Sequence, residues 1–239
     1  MTWANTWKDI LSGGSPRWKV DDVAIKQQAL SYISKYMGSE QQQEEKKQNI
    51  RILCPLAGDD PFVHFAWKQG YSVTAIDLVP DALGAIRKQF AAEKDWQMEI
   101  RPSGSKVWNH VSGRATLYEG DVLEKRTELL DSFDAVYDKD SFGALDKEMR
   151  QPFCMRLADY TKDGGIVYTE VKYKDANSPS RNFGPPFHVE KNDLMEATSF
   201  GGSFVYVDDL GKVYDLATTG VEQTAHVLQR KAREPTSAR

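Results

Sequence analysis

Two rhythms of apolar residues organise the chain. Apolar-rich runs of four to six residues read as buried strands, and stretches with apolar positions every three or four residues read as helices. Ile50 to Leu53 is a strand, Leu56-Ala57-Gly58 a tight turn, and Pro61 to Gln69 a helix. Asp60 is placed to cap that helix, Pro61 suits its first position, and Gly70 ends it. Val73 to Ile76 is a second strand, with Asp77 at its C-terminal end. Strand, turn, helix, strand and acid make the outline of a nucleotide-binding βαβ unit.

Upstream, Asp21 to Met37 has helical spacing, with Val23, Ala24, Leu30, Ile33, Tyr36 and Met37 available for an apolar face. The polar run Ser39 to Gln48 is a surface connection. Downstream, a helix runs from Pro80 to about Ala92. Met98 to Arg101 and Lys106 to His110 pair as a hairpin, and Arg114 to Tyr118 is a further strand. Trp108 and His110 are read as surface residues of the hairpin. A helix over Leu123 to Leu130, a strand over Phe133 to Asp138 and a helix over Asp146 to Tyr160 follow. Lys162 to Gly165 is a turn, Ile166 to Val171 a strand, Lys172 to Pro186 a long loop, and a helix begins at Lys191. Ser203 to Val207 and Thr224 to Leu228 close the sheet as an antiparallel pair, with His226 structural. The outcome is an α/β domain.

Length changes little in this picture: 239 residues suit one domain, 1–239, with a helical N-terminal cover over 1–37 and an α/β core over 50–231. Hydrophobic residues at 40% and charged residues at 28% are ordinary for a soluble protein. A net charge of −4 supplies no basic field, which argues against nucleic acid as a partner. Cys54 and Cys154 belong to no metal-spaced cluster. No apolar run reaches the roughly 18 residues of a membrane span, and the N-terminus lacks a signal-peptide pattern. A reduced, cytoplasmic, monomeric protein acting on a small molecule, with neither membrane nor metal, is expected.

The chemistry begins at the turn. A carboxylate at Asp77 suits the hydroxyls of a ribose, but the turn holds one glycine rather than G-x-G-x-x-G. Asp59 and Asp60 at the helix start would repel a pyrophosphate and welcome a cofactor with a cationic amino-acid end. S-adenosylmethionine therefore fits better than NAD; a strand-turn-helix without a ligand is the plain alternative. Asp121, just past a strand, suits an adenine amino group or else caps the next helix. Asp138-Lys139-Asp140-Ser141 lies at a strand's C-terminal end, where open α/β sheets place ligands. Trp3, Trp7 and Trp18 put half of the six tryptophans near the N-terminus, either as packing or as an aromatic lid over a sulfonium.

Together these pieces resemble the thiopurine S-methyltransferase superfamily, which includes halide and thiol methyltransferases. The resemblance rests on Trp3-x-x-x-Trp7 before Gly13-Gly14, Cys54-Pro-Leu-Ala-Gly58 with Gly70 and Asp77, Tyr137-Asp138-Lys139 before Phe142-Gly-Ala-Leu145, and Gly184-Pro-Pro-Phe187-His-Val189. It implies a class I, Rossmann-like methyltransferase fold: a doubly wound, mostly parallel seven-stranded sheet with its last strand antiparallel. It also implies S-adenosylmethionine as cofactor, S-adenosylhomocysteine as product, and a thiol or similar soft nucleophile as acceptor. Carried over by position, Trp3, Trp7 and Trp18 form the cover, and Leu56 and Gly58 the cofactor turn. Asp77 with Leu78 stands at the ribose, Asp121 and Val122 beside the adenine, and Asp138 also faces the cofactor. Two departures stand out. Asp59 replaces the Lys that often follows the family's glycine, and Lys139 replaces an Arg, in a loop longer by a residue or two.

Methyl transfer to a thiol needs alignment more than acid–base chemistry. On this reading Lys139 favours the anionic nucleophile and Asp138 or Asp140 relays a proton; the alternative is a set of surface ion pairs. Halides, sulfide, and selenium or tellurium species are alternative acceptors. A non-catalytic cofactor-binding or interaction protein is the reading from another class.

Overall fold

The computed structural model describes residues 12, 20–38, 47–90, 92–101 and 104–233. Two units are distinguished: one runs to Glu124 apart from Lys35–Gly38, and the other takes those four residues and Lys125 onward. Trp3, Trp7 and Trp18 lie outside the described residues, and so does most of the connection expected after Gly38.

Helix α1 (Val23–Tyr36) buries Lys26, Ala29, Leu30 and Ile33. Val23, expected on the apolar face, is 64% exposed. Val23 and Ala24 face solvent, and the stem of Lys26 takes the buried place instead, its ammonium 2.6 Å from Asp21.

In the first unit, β1 (Arg51–Pro55) lies parallel to β2 (Ser72–Asp77), and β2 lies parallel to β5 (Ala115–Glu119). The registers Ile52↔Val73 and Val73↔Ala115 bring their apolar residues into line. β1 and β2 are buried almost throughout, as expected for parallel strands covered on both faces. Helices α2 (Phe62–Lys68) and α3 (Pro80–Gln89) bury Phe62, Val63 and Ala66, and Ala82, Leu83 and Ile86. α2 begins one residue later than expected, with Pro61 in the cap position. Asp60 still serves the entry, because its Oδ1 accepts the Phe62 N–H at 2.8 Å.

The hairpin is present as β3 (Trp96–Ile100) and β4 (Lys106–His110), with β4 antiparallel to β5. His110 is not a surface residue. It is buried against Trp67, Phe90 and Trp96 with ring centroids 5.0 to 5.5 Å away, and burial lowers its pKa. Trp108 carries the Arg87 guanidinium 3.6 Å above its ring. The hairpin is thus part of the packing of this unit, a role that an alternating strand pattern does not reveal.

In the second unit, β6 (Phe133–Lys139) runs parallel to β7 (Thr161–Lys174). β9 (Val221–Arg230) runs antiparallel to both β7 and β8 (Phe204–Asp215). The expected turn at Lys162 to Gly165 is absorbed into β7 by a register shift opposite Phe133/Ala135. The loop expected from Lys172 begins only after Lys174. Helices α4 (Ser141–Ala144), α5 (Lys147–Tyr160) and α6 (Lys191–Met195) complete the unit. The helix expected over Leu123 to Leu130 is only a 3-10 turn, Thr127–Leu129. Tyr160 accepts the Arg126 N–H through its hydroxyl at 2.9 Å, so that donor is lost to a continuous helix.

Nine strands lie among the described residues where seven were implied. The β3–β4 hairpin, which falls between β2 and β5 in sequence and extends the sheet edge beyond β5, accounts for the difference, and the last strand is antiparallel as implied. No helix among the described residues is long and apolar enough to cross a membrane.

Candidate functional site

The first unit holds the candidate cofactor turn. β1 ends at Pro55, and Leu56 and Gly58 then take positive φ values of 44° and 54°. Glycine adopts that conformation freely, whereas for Leu56 it is strained; backbone held in this way is concentrated at functional sites. Asp77 closes the geometry from the end of β2. Its Oδ2 accepts the Gly58 N–H at 2.7 Å, and its Oδ1 accepts the Val79 N–H at 2.8 Å. Burial raises the Asp77 pKa, the two backbone donors oppose that shift, and Asp59 adds to it. Each Asp77 oxygen keeps acceptor capacity beyond its one backbone partner.

Asp59 and Asp60 are both buried beside this turn. This pair of acceptors suits a cation and not a pyrophosphate, the polarity that an ammonium and a sulfonium need. Leu78, next to Asp77, is 60% exposed, an apolar surface open to a ligand. Asp121 is exposed and its Oδ1 accepts the Leu123 N–H at 2.9 Å, so it stabilises a local turn and caps no helix. Val122 beside it is buried.

The second unit holds the acid cluster, at the C-terminal ends of β6 and β7. Asp138 is wholly buried; its Oδ1 accepts the Ser141 N–H at 3.1 Å and its Oδ2 accepts the Thr169 hydroxyl at 3.0 Å. Burial, aided by Asp140, pushes its pKa up to about 6 against those hydrogen bonds. Asp140 sits in the left-handed region at φ 61°, which Asp tolerates better than most residues. Its carboxylate meets the Lys172 ammonium at 3.1 Å and accepts from Gln223 Nε2 at 3.1 Å. Asp140 and Lys172 are therefore a buried pair and not surface charges.

Reading the chain as separate segments missed Glu170 and Lys172. Glu170 is opposite Lys139 in the β6–β7 register. Its Oε1 accepts the Tyr168 hydroxyl at 2.9 Å and its Oε2 the Tyr214 hydroxyl at 3.0 Å. Burial raises its pKa to about 7 even though Lys139 and both tyrosines favour the anion. Lys139 is thus the cation facing Glu170, and Lys172 is the one that binds Asp140. The available signal was positional: Glu170 follows the run Ile166-Val-Tyr-Thr much as Asp138 follows Ala135-Val-Tyr. Cys54 and Cys154 are buried, and burial raises both thiol pKa values, so neither is an activated nucleophile.

Solved structures share this fold. A 1,6-didemethyltoxoflavin-N1-methyltransferase of Burkholderia thailandensis, with bound 1,6-didemethyltoxoflavin and S-adenosylhomocysteine, superposes with a TM-score of 0.61 at 15% identity, covering 95% of this chain and 84% of that one. A TehB-like SAM-dependent methyltransferase of Corynebacterium glutamicum gives 0.58 at 14% identity, covering 96% of each chain. At such identities the likeness concerns the fold alone, and the fold is the class I methyltransferase α/β type. In sequence, a thiopurine S-methyltransferase of Acinetobacter baylyi is 27% identical over 150 residues, 63% of this chain and 67% of that protein. One of Aliivibrio fischeri is 28% identical over 151 residues, 63% of this chain and 66% of that protein. These alignments span about two thirds of the relatives' lengths. The thiopurine S-methyltransferase family model matches residues 7–234, and the chain belongs to that family.

Proposed function

We propose that the protein transfers a methyl group from S-adenosylmethionine to a thiol or similarly soft small-molecule nucleophile. The observation that carries this reading is the Asp77–Gly58 hydrogen bond across a positive-φ turn bordered by buried acids, in a chain of this family. S-adenosylmethionine, when bound, supplies an electrophilic methyl on a sulfonium. Leu56, Gly58, Asp77 and Leu78 hold its ribose side in this proposal, Asp121 and Val122 its adenine, and Asp59 its cationic end. Trp3, Trp7 and Trp18 serve as aromatic cover.

The polar work of the chain is to hold the acceptor and manage one proton. A thiol near its ordinary pKa of ~8.5 needs modest help to become a thiolate. Lys139 favours the anion. Asp140 is committed to Lys172 and is poorly placed to exchange a proton. Asp138 and Glu170, whose pKa values burial raises to about 6 and about 7, are better matched to that task.

The acceptor class is tested by offering aromatic thiols, alkyl thiols, hydrosulfide, iodide and selenide with methyl-labelled cofactor and scoring label in the product. Label on thiols supports the reading. Label on inorganic anions alone moves the acceptor to the halide and sulfide class, and label on none defeats it.

A further inference from the structure

Lys174, the last residue of β7, is only 6% exposed. Its ammonium donates to three backbone carbonyls: Ser180 at 3.2 Å, Phe183 at 2.5 Å and Pro186 at 2.8 Å. An ammonium has three protons, and three carbonyls accept here. Burial and the charge of Lys172 lower the pKa of Lys174, with Asp140 opposing. A neutral side chain at this position would leave three carbonyl dipoles converging on nothing.

The main chain of Lys174 is engaged with the same segment. Its N–H donates to His188 Nδ1 at 2.9 Å, and its carbonyl accepts from the Arg181 guanidinium. His188 Nε2 and Arg181 Nη2 both meet Glu190 Oε1, at 2.9 and 3.1 Å. At the far end, Phe187 donates its N–H to the Gly143 carbonyl at 2.7 Å, just past the acid cluster. Lys172, on the same face of β7 two residues earlier, binds Asp140. One strand end therefore sets both the acid cluster and the path of residues 178–187. Phe183 is carried on that path, 70% exposed.

We propose that Lys174 is a positioning residue for the methyl acceptor: by gathering the carbonyls of Ser180, Phe183 and Pro186 it fixes the 178–187 segment as a wall beside the acid cluster, and the wall selects aromatic thiols over small anions. The inference rests on the methyl-transfer reading above. A hydrogen bond to a charged group is of the size that shifts an equilibrium by about tenfold, so loss of three releases the segment.

The experiment compares the full chain with Lys174→Met and Lys174→Arg. Limited trypsin cleavage after Arg181, followed by mass spectrometry, reads the segment without any acceptor. Acceptor KM for thiophenol and for hydrosulfide reads the wall, and calorimetric binding of S-adenosylhomocysteine checks that the fold is kept. The expected result for Lys174→Met is cleavage at Arg181 faster by about tenfold or more. The thiophenol KM rises about tenfold and the hydrosulfide KM stays within about twofold. Cofactor affinity is unchanged, and Lys174→Arg lies between. Unchanged cleavage overturns the anchor, and equal KM changes for both acceptors overturn the wall. A wild-type protein that methylates nothing defeats the functional reading and the wall with it, while cleavage still decides the anchor.

Discussion

Gly58 donates its backbone N–H to Asp77 Oδ2 at 2.7 Å, so the acid that closes β2 also shapes the turn that leaves β1. One side chain thus sets the local backbone and presents a buried carboxylate. Asp77→Ala should weaken S-adenosylhomocysteine binding by at least tenfold, about 1.4 kcal/mol. It should also cost about 1–3 kcal/mol of stability by stranding the Gly58 and Val79 N–H groups. Calorimetry and urea unfolding measure the two losses separately.

The acid cluster should leave a mark on stability against pH. Asp138 and Glu170 have folded pKa values raised to about 6 and about 7, so the folded state holds their protons longer than the unfolded chain does. Their contribution is full below the unfolded carboxylate range and is lost as pH rises through the folded values. For Asp138 a shift of about two units corresponds to roughly 3 kcal/mol. Asp138→Asn should flatten the decline between about pH 4 and 6 and leave the protein as stable or more so at pH 8. Urea midpoints across that range test it.

Lys172→Met removes the cation from a buried carboxylate. Breaking such a pair from one side costs about 3–5 kcal/mol, whereas removing both charges costs far less. Lys172→Met should therefore be strongly destabilised, and Lys172→Met with Asp140→Asn should recover much of the loss. A double-mutant cycle in urea reads the coupling directly.

Lys139→Met should depress turnover of a thiol much more than it changes cofactor affinity. It also deprives Glu170 of its favourable cation, which raises the Glu170 pKa further. The inflection in the kcat–pH profile should then move alkaline. An unchanged profile and rate would remove Lys139 from the mechanism.

Much of this was readable in the chain because the first unit uses local signals. Asp60-Pro61, Gly58, Gly70 and Asp77 each mark a boundary through a backbone requirement that neighbours cannot override, and the βαβ unit follows. The β3–β4 hairpin was legible as strands, but the burial of His110 was not, since it depends on Trp67 and Phe90 arriving from distant parts of the chain. The helix expected after Asp121 failed for the same reason, because Tyr160 takes the Arg126 N–H.

The acid cluster was only half visible. Asp138, Lys139 and Asp140 are consecutive and draw attention as a motif, whereas Glu170 and Lys172 lie far along the chain, two residues apart on one face of a long strand. The β6–β7 register reveals that Glu170 answers Lys139, and the side-chain ion pair just beyond it that Lys172 answers Asp140. Nothing in the sequence singles out Lys174. Its three carbonyl partners lie six to twelve residues further on, a spacing with no helical or strand signature.

Methyl transfer to a thiol is read out by a single-turnover reaction of the full chain with methyl-labelled S-adenosylmethionine and thiophenol. Label should appear in the thioether with one S-adenosylhomocysteine formed per labelled product, and both should fall in Asp77→Ala at a cofactor concentration below the wild-type dissociation constant. Unconsumed cofactor and unlabelled thiol from the wild-type protein would contradict it.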